Sequence, residues 1–83
     1  MKYTWTITTH TMRTLSDEHR ATMVHMIDKL NSYYEDCEER RDFTPIYTLL
    51  DAFRDIIKPW PLGEFSVAYD ELDEWVQSFM YGR

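Results

Sequence analysis

The sequence is poor in the residues that form cross-links and phosphate-binding loops. Its 83 residues include one cysteine, Cys37, and two glycines, Gly63 and Gly82. A lone cysteine excludes an intramolecular disulfide and a zinc site built from thiolates. Two isolated glycines exclude the glycine-rich loop that binds the phosphates of a nucleotide. We therefore interpret Cys37 as a small buried hydrophobe and expect no cofactor.

The common catalytic motifs are missing as well. His10, His19 and His25 include no i, i+4 pair, and the chain contains neither HExxH nor GxSxG. Its carboxylates fall in charged runs, which are typical of solvated helix faces rather than of catalytic pairs. We therefore predict that the protein is not an enzyme and has no catalytic residue and no metal site.

Long apolar runs are also absent. No stretch of 18 apolar residues occurs, which predicts that no segment spans a membrane. Residues 1–12 lack the apolar core of a secretory signal. We expect a soluble protein in the reducing cytoplasm.

Positive charge is scarce. The chain contains nine Lys and Arg residues and 15 Asp and Glu residues, which gives a formal net charge of −6. Nucleic acids and anionic membranes attract clusters of cations, so we expect neither direct nucleic-acid binding nor membrane binding. The acids instead favour a partner protein with a basic surface. They are concentrated in two runs, which contain Glu35, Asp36, Glu38 and Glu39, and Asp70, Glu71, Asp73 and Glu74. The second run is predicted to form one outward helix face.

The hydrophobic pattern predicts a single compact α+β domain over residues 1–83 that is dominated by helices. Aromatic and β-branched residues that alternate with threonines predict an N-terminal strand over about 3–12. A lone strand needs a partner for its backbone groups. One alternative supplies that partner with a second short strand over about 64–69, so that the last helix starts at 70.

A period near 3.6 residues predicts three helices, over about 17–38, 45–58 and 67–81. Ser16 is the expected N-cap of the first helix, and Thr44 is the expected N-cap of the second. The first helix is the longest, and we expect its apolar stripe to form the centre of the core.

Aromatic residues make up 16% of the chain, more than a core of this size needs. Tyr and Trp are enriched in protein interfaces because they provide large contact areas at low entropic cost. Trp60 stands between Pro59 and Pro61, so it is either a lid on the core or a rigid exposed anchor for a partner. Tyr81 is a weaker candidate of the same kind.

These features favour a non-enzymatic protein-binding module, a small acidic inhibitor or regulator that occupies the surface of a partner protein. The two acidic runs, Trp60 and Tyr81 are the candidate contact residues. One alternative is a nucleic-acid mimic that inhibits a DNA- or RNA-binding protein, if the two acidic runs meet. Another is a structural homo-oligomer, in which a homodimer forms through the N-terminal strand. Small size, acidity and richness in Met and Trp suit a phage or mobile-element protein, although no motif supports that origin.

Overall fold

The computed structural model describes residues 4–81, which form four α-helices and a π-helical end. The α-helices are α1 (Thr9–Thr14), α2 (Asp17–Arg40), α3 (Thr44–Ile57) and α4 (Leu62–Val76), and the π-helical turn Gln77–Tyr81 continues α4. Residues 4–8 are extended and belong to no regular element. Because the described residues contain no β-strand, the prediction of an α+β fold is wrong and the domain is helical.

The predicted strand over 3–12 is replaced by an extended segment and the short helix α1. Tyr3, the first residue of that prediction, lies outside the described residues. The backbone N–H of Trp5 donates to the side-chain Oδ1 of Asn31 at 3.1 Å, and the Trp5 C=O accepts from Asn31 Nδ2 at 3.0 Å. One side-chain amide thus supplies to Trp5 both backbone hydrogen bonds that a neighbouring strand would have supplied.

The long helix α2 matches its prediction closely and is two residues longer, ending at residue 40. Ser16 caps its N-terminus by accepting a hydrogen bond from the backbone N–H of His19 at 3.3 Å. Arg41 ends the helix in the left-handed conformation, with φ at 57°. Neither α2 nor any other helix within residues 4–81 has the length and hydropathy needed to cross a membrane.

The third and fourth helices begin earlier than predicted. Phe43 occupies the N-cap position of α3, and Thr44 is its first residue. In α4 the first helical bond runs from the Phe65 N–H to the Pro61 C=O, at 2.8 Å. The alternative of a strand over 64–69 is therefore wrong, as is a last helix that starts only at 70. The alternating pattern of residues 64–69 is compatible with a strand, but residues 4–81 contain no partner strand for this segment.

Helices α2, α3 and α4 pack around one hydrophobic core, and α1 packs against α4. The Trp75 indole N–H donates to Asn31, and the Tyr34 hydroxyl donates to the Phe79 carbonyl. The later residue of α2 contacts the later residue at the end of α4, and the two sequence separations are nearly equal. The two helices therefore run parallel. The buried apolar side chains come from every long helix: Leu15, Met23, Met26, Ile27, Leu30, Tyr34, Cys37, Ile46, Leu50, Phe53, Ile57, Ala68, Leu72, Trp75, Val76 and Phe79.

Candidate functional site

Glu71 on α4, together with Asn31 on α2, fastens the N-terminal segment to the helices. Its Oε2 atom accepts hydrogen bonds from the indole Nε1 of Trp5 at 2.6 Å and from the backbone N–H of Thr8 at 3.3 Å. Its Oε1 atom accepts from the hydroxyls of Thr8 at 2.9 Å and Thr11 at 2.7 Å. Four donors therefore surround one carboxylate, which satisfies its acceptor capacity without a cation.

This arrangement corrects the prediction that Glu71 lies on an outward helix face. Only 1% of Glu71 is exposed. It follows Ala68 by three residues and precedes Trp75 by four, and both of those residues are fully buried. Residues at these spacings share one side of a helix, so Glu71 faces inward with them. Glu71 is thus a positioning residue and cannot contact a partner directly.

The three other acids of that run, Asp70, Asp73 and Glu74, are exposed on α4. Their side chains form no hydrogen bond or ion pair with any residue that the structure describes. The sequence gives the reason, because no Lys or Arg occurs between Lys58 and Arg83. We call these three residues the α4 acidic face. Within the part of the chain that the structure describes no cation pairs with them, so they are available to cations from solution or from a partner.

An open groove of about 270 Å³ lies beside the α4 acidic face, between α1 and α4. It is lined by Asp70 and Glu74 on α4 and by His10 and Thr11 on α1. Glu71 also borders the groove, but its four hydrogen-bond donors already saturate it. The negative charge that the groove offers therefore comes from its two exposed acids.

The first acidic run lies at the C-terminal end of α2. All four of its predicted contact residues are exposed: Glu35, Asp36, Glu38 and Glu39. Asp36 pairs with Arg40 at 3.4 Å, which partly offsets the negative charge there. The Tyr34 hydroxyl lies 3.2 Å from a carboxylate oxygen of Glu38.

The two acidic runs do not meet. The Tyr34–Phe79 contact joins residues 45 positions apart (79 − 34), so residues 70–74 of α4 lie level with residues 25–29 of α2. The run on α2 begins about ten residues later, which is about 15 Å along the helix axis. The structure thus favours two separate acidic surfaces over one.

Trp60 is half-buried in the loop between α3 and α4. Its indole stacks on the imidazole of His19, with ring centroids 4.0 Å apart and planes inclined by 9°. His19 Nδ1 also contacts the carboxylate of Glu64. These contacts tie the loop to the first turn of α2 and cover one face of the indole. They favour the interpretation of Trp60 as a lid over that of a free anchor.

Tyr81 is 65% exposed at the π-helical end, so it is accessible to a partner.

Cys37 is buried, and burial raises the pKa of its thiol above the ordinary value. A protonated thiol without solvent access is not a nucleophile at neutral pH. Within residues 4–81 no three His, Cys, Asp or Glu side chains are grouped so that they could hold a metal ion.

The sequence interpretation missed an apolar strip on the outside of α3 and α4. Leu62 is 81% exposed, and Tyr47 and Tyr69 are about half exposed. The guanidinium of Arg54 lies over the Tyr69 ring, 5.5 Å from its centroid. A signal was present, because Tyr47 and Tyr69 are each followed four residues later by an aspartate, which places an aromatic ring and a carboxylate on one helix face.

Comparisons with models of protein families, with curated proteins and with solved structures found no match to this chain.

Proposed function

We propose that this protein is a non-enzymatic protein-binding module, a small acidic inhibitor or regulator that occupies a basic surface of a partner protein. The observation that supports this proposal is the α4 acidic face, in which three exposed carboxylates pair with no cation among residues 4–81. Such a face adds little to the stability of the domain, since like charges on one helix repel each other. A basic partner would relieve that repulsion on binding.

Contacts on the inner side of α4 fix the position of the helix that carries the α4 acidic face. Trp75 and Glu71 anchor α4 on its inner side, through hydrogen bonds to Asn31 and to the N-terminal segment. A preorganised surface loses less conformational entropy on binding than a mobile one. Complementary charge on the partner would accelerate association and make the complex sensitive to salt.

The buried, protonated thiol of Cys37 is compatible with a reducing compartment, and we propose that the protein acts in the cytoplasm.

The two alternative functions, a nucleic-acid mimic and a homo-oligomer, have less support. A nucleic-acid mimic would gain from one continuous acidic surface, whereas the two acidic runs are offset from each other by about 15 Å along the helix axis. The homo-oligomer depended on a strand that residues 4–8 do not form, so we do not propose it.

Affinity purification from the source cells tests the proposal. The wild-type chain should recover one protein in stoichiometric amount. The triple variant Asp70→Asn, Asp73→Asn, Glu74→Gln should lose that protein, because the complementary charge is gone. The matched control Glu18→Gln, Asp28→Asn, Asp55→Asn removes three exposed acids elsewhere and should retain it.

Two outcomes would contradict the proposal. One is recovery of the wild-type chain alone under every salt condition. The other is equal recovery of the same protein by the wild-type chain and the triple variant. Duplex DNA is added as a competitor in parallel, since displacement of the partner by DNA would identify it as a nucleic-acid-binding protein and revive the mimic hypothesis.

A further inference from the structure

The outer surface of α3 and α4 carries a strip of exposed apolar side chains that the core does not use. We define the α3–α4 strip as Tyr47, Leu62 and Tyr69, with Arg54 in its middle. Tyr47 and Arg54 are seven residues apart, as are Leu62 and Tyr69, and seven residues are almost two full helical turns. Each pair therefore lies along one side of its helix. The contact between Arg54 and Tyr69 brings those two sides together.

The strip is long enough to receive a helix of a partner protein. The short loop over residues 58–61 makes α3 and α4 antiparallel. Seven residues rise about 10 Å, so Leu62 lies about 10 Å from Tyr69 along α4, and Tyr47 lies about 10 Å from Arg54 along α3. The strip thus extends over at least about 10 Å on each helix, nearly two helical turns.

Carboxylates accompany the apolar anchors. Asp51 follows Tyr47 by four residues and Asp73 follows Tyr69 by four, so each aromatic ring has an exposed acid beside it. Asp51 lies 3.9 Å from Arg54, at the outer limit of an ion pair, and Asp73 has no cation partner among residues 4–81. On α3 the charge of Asp51 is therefore offset by Arg54, and the negative charge that flanks the strip comes from Asp73 on α4.

We propose that the α3–α4 strip binds an amphipathic helix of the partner, with apolar side chains facing the strip and Lys or Arg at its edges. This inference rests on the proposed function and names the element that the partner contributes. A helix packs its apolar face into a groove through residues at i, i+3, i+4 and i+7, which matches anchors that repeat every two turns. The charge complementarity with Asp73 selects a basic helix over an acidic one.

Three synthetic 21-residue peptides test the proposal. The first carries Leu at every a and d position of its heptads and Lys or Arg at the flanking positions. The second has the same composition in an order that scatters Leu around the helix. The third keeps the Leu pattern but replaces Lys and Arg by Glu. The first peptide should bind at least about ten times more tightly than either of the others, as measured by fluorescence anisotropy.

Two variants locate the binding on the strip. Tyr69→Ser should weaken binding of the first peptide about tenfold or more, and Leu62→Ser should also weaken it. Leu62 is so exposed that its replacement leaves the core intact, which keeps the test valid if Tyr69→Ser unfolds. The control is Tyr33→Ser on α2, because Tyr33 is 43% exposed against 40% for Tyr69 and also has a cation over its ring, Lys29 at 5.9 Å. Tyr33→Ser should leave affinity unchanged.

Four results would overturn the strip proposal. Three concern the peptides: equal binding of the first two, tighter binding of the acidic peptide, or no binding of the first. The fourth is a wild-type dimer, detected by light scattering, that Leu62→Ser dissociates. Such a dimer would make a second copy of this chain the occupant of the strip. Failure here is distinguishable from failure of the proposed function. If Leu62→Ser still recovers the cellular partner while the α4 acidic-face variant does not, the strip proposal fails and the proposed function stands.

Discussion

The indole Nε1 of Trp5 donates a 2.6 Å hydrogen bond to the carboxylate of Glu71, which lies 66 positions later in the chain. This bond and the three from Thr8 and Thr11 keep Glu71 turned inward. The same rotation of α4 that buries Glu71 beside Ala68 and Trp75 leaves Asp70, Asp73 and Glu74 facing solvent. The internal bond and the external acidic face are therefore two consequences of one helix orientation.

Replacement of Glu71 by Ala should destabilise the domain by about 2 kcal/mol, because the buried donor on Thr11 and the half-buried donors on Trp5 and Thr8 lose their acceptor. Urea denaturation followed by Trp fluorescence measures the change. Glu74→Ala is the control, since Glu74 is exposed and unpaired among the described residues, and its free energy of unfolding should stay within about 0.5 kcal/mol of wild type. Equal stability of the two variants would contradict the assigned role of Glu71.

Asn31→Ala should release the extended segment, because Trp5 loses both of its backbone hydrogen bonds to the side-chain amide. Hydrogen exchange measured by NMR should show faster exchange of the Trp5 amide, by about tenfold or more, since exchange follows local opening. The neighbouring exposed change Ser32→Ala should not alter it. Unchanged protection of Trp5 in Asn31→Ala would show that other contacts hold the segment.

Arg41→Gly should stabilise the domain by about 1 kcal/mol. Arg41 ends α2 in a left-handed conformation, which is strained for a residue with a Cβ atom and unstrained for glycine. Thermal unfolding measures the change. Arg40→Gly offers a contrasting control, since residue 40 is still helical and glycine there should lower stability. A lower melting temperature for Arg41→Gly would contradict the left-handed assignment.

Asp42 provides a pH-dependent contribution to stability. Its carboxylate accepts hydrogen bonds from the hydroxyl and the backbone N–H of Thr44, at 2.8 and 3.2 Å, and these bonds lower its pKa below the ordinary 3.8. A pKa that is lower in the folded state adds stability above about pH 4, and that stability is lost as the pH falls through the folded value. Asp42→Asn should therefore show a shallower decline of stability below about pH 4 in acid titrations followed by circular dichroism. An identical decline in the two proteins would argue against this contribution.

The helices could be predicted from the sequence because their signals are local. The stripe of Met23, Ile27 and Leu30 and the cap at Ser16 each depend on residues within a few positions of one another. The N-terminal strand could not be judged in that way. Alternation from residue 3 onward favours a strand, but whether a strand forms depends on a partner, and Asn31 took the place of that partner through a contact spanning 26 positions.

The α4 acidic face could be predicted only in part, because local patterns indicate some of its residues and long-range contacts decide the rest. Charge composition correctly indicated that Asp70, Asp73 and Glu74 are exposed, because a helix wheel separates them from Leu72. Glu71 was misplaced because its inward rotation is stabilised by Trp5 and Thr11, whose positions no local pattern reveals. The α3–α4 strip needed the packing of two helices, since Tyr69 alone looks like one more residue of an apolar stripe.

The most direct test of the central claim is the dissociation constant of the recovered complex, measured for the wild-type chain and for the Asp70→Asn, Asp73→Asn, Glu74→Gln variant at low and high salt. We expect the variant to bind about tenfold or more weakly at low salt, and we expect the difference to shrink as salt screens the wild-type contacts. Equal affinities at low salt, or a wild-type affinity that does not respond to salt, would contradict the assignment of the α4 acidic face as the binding surface.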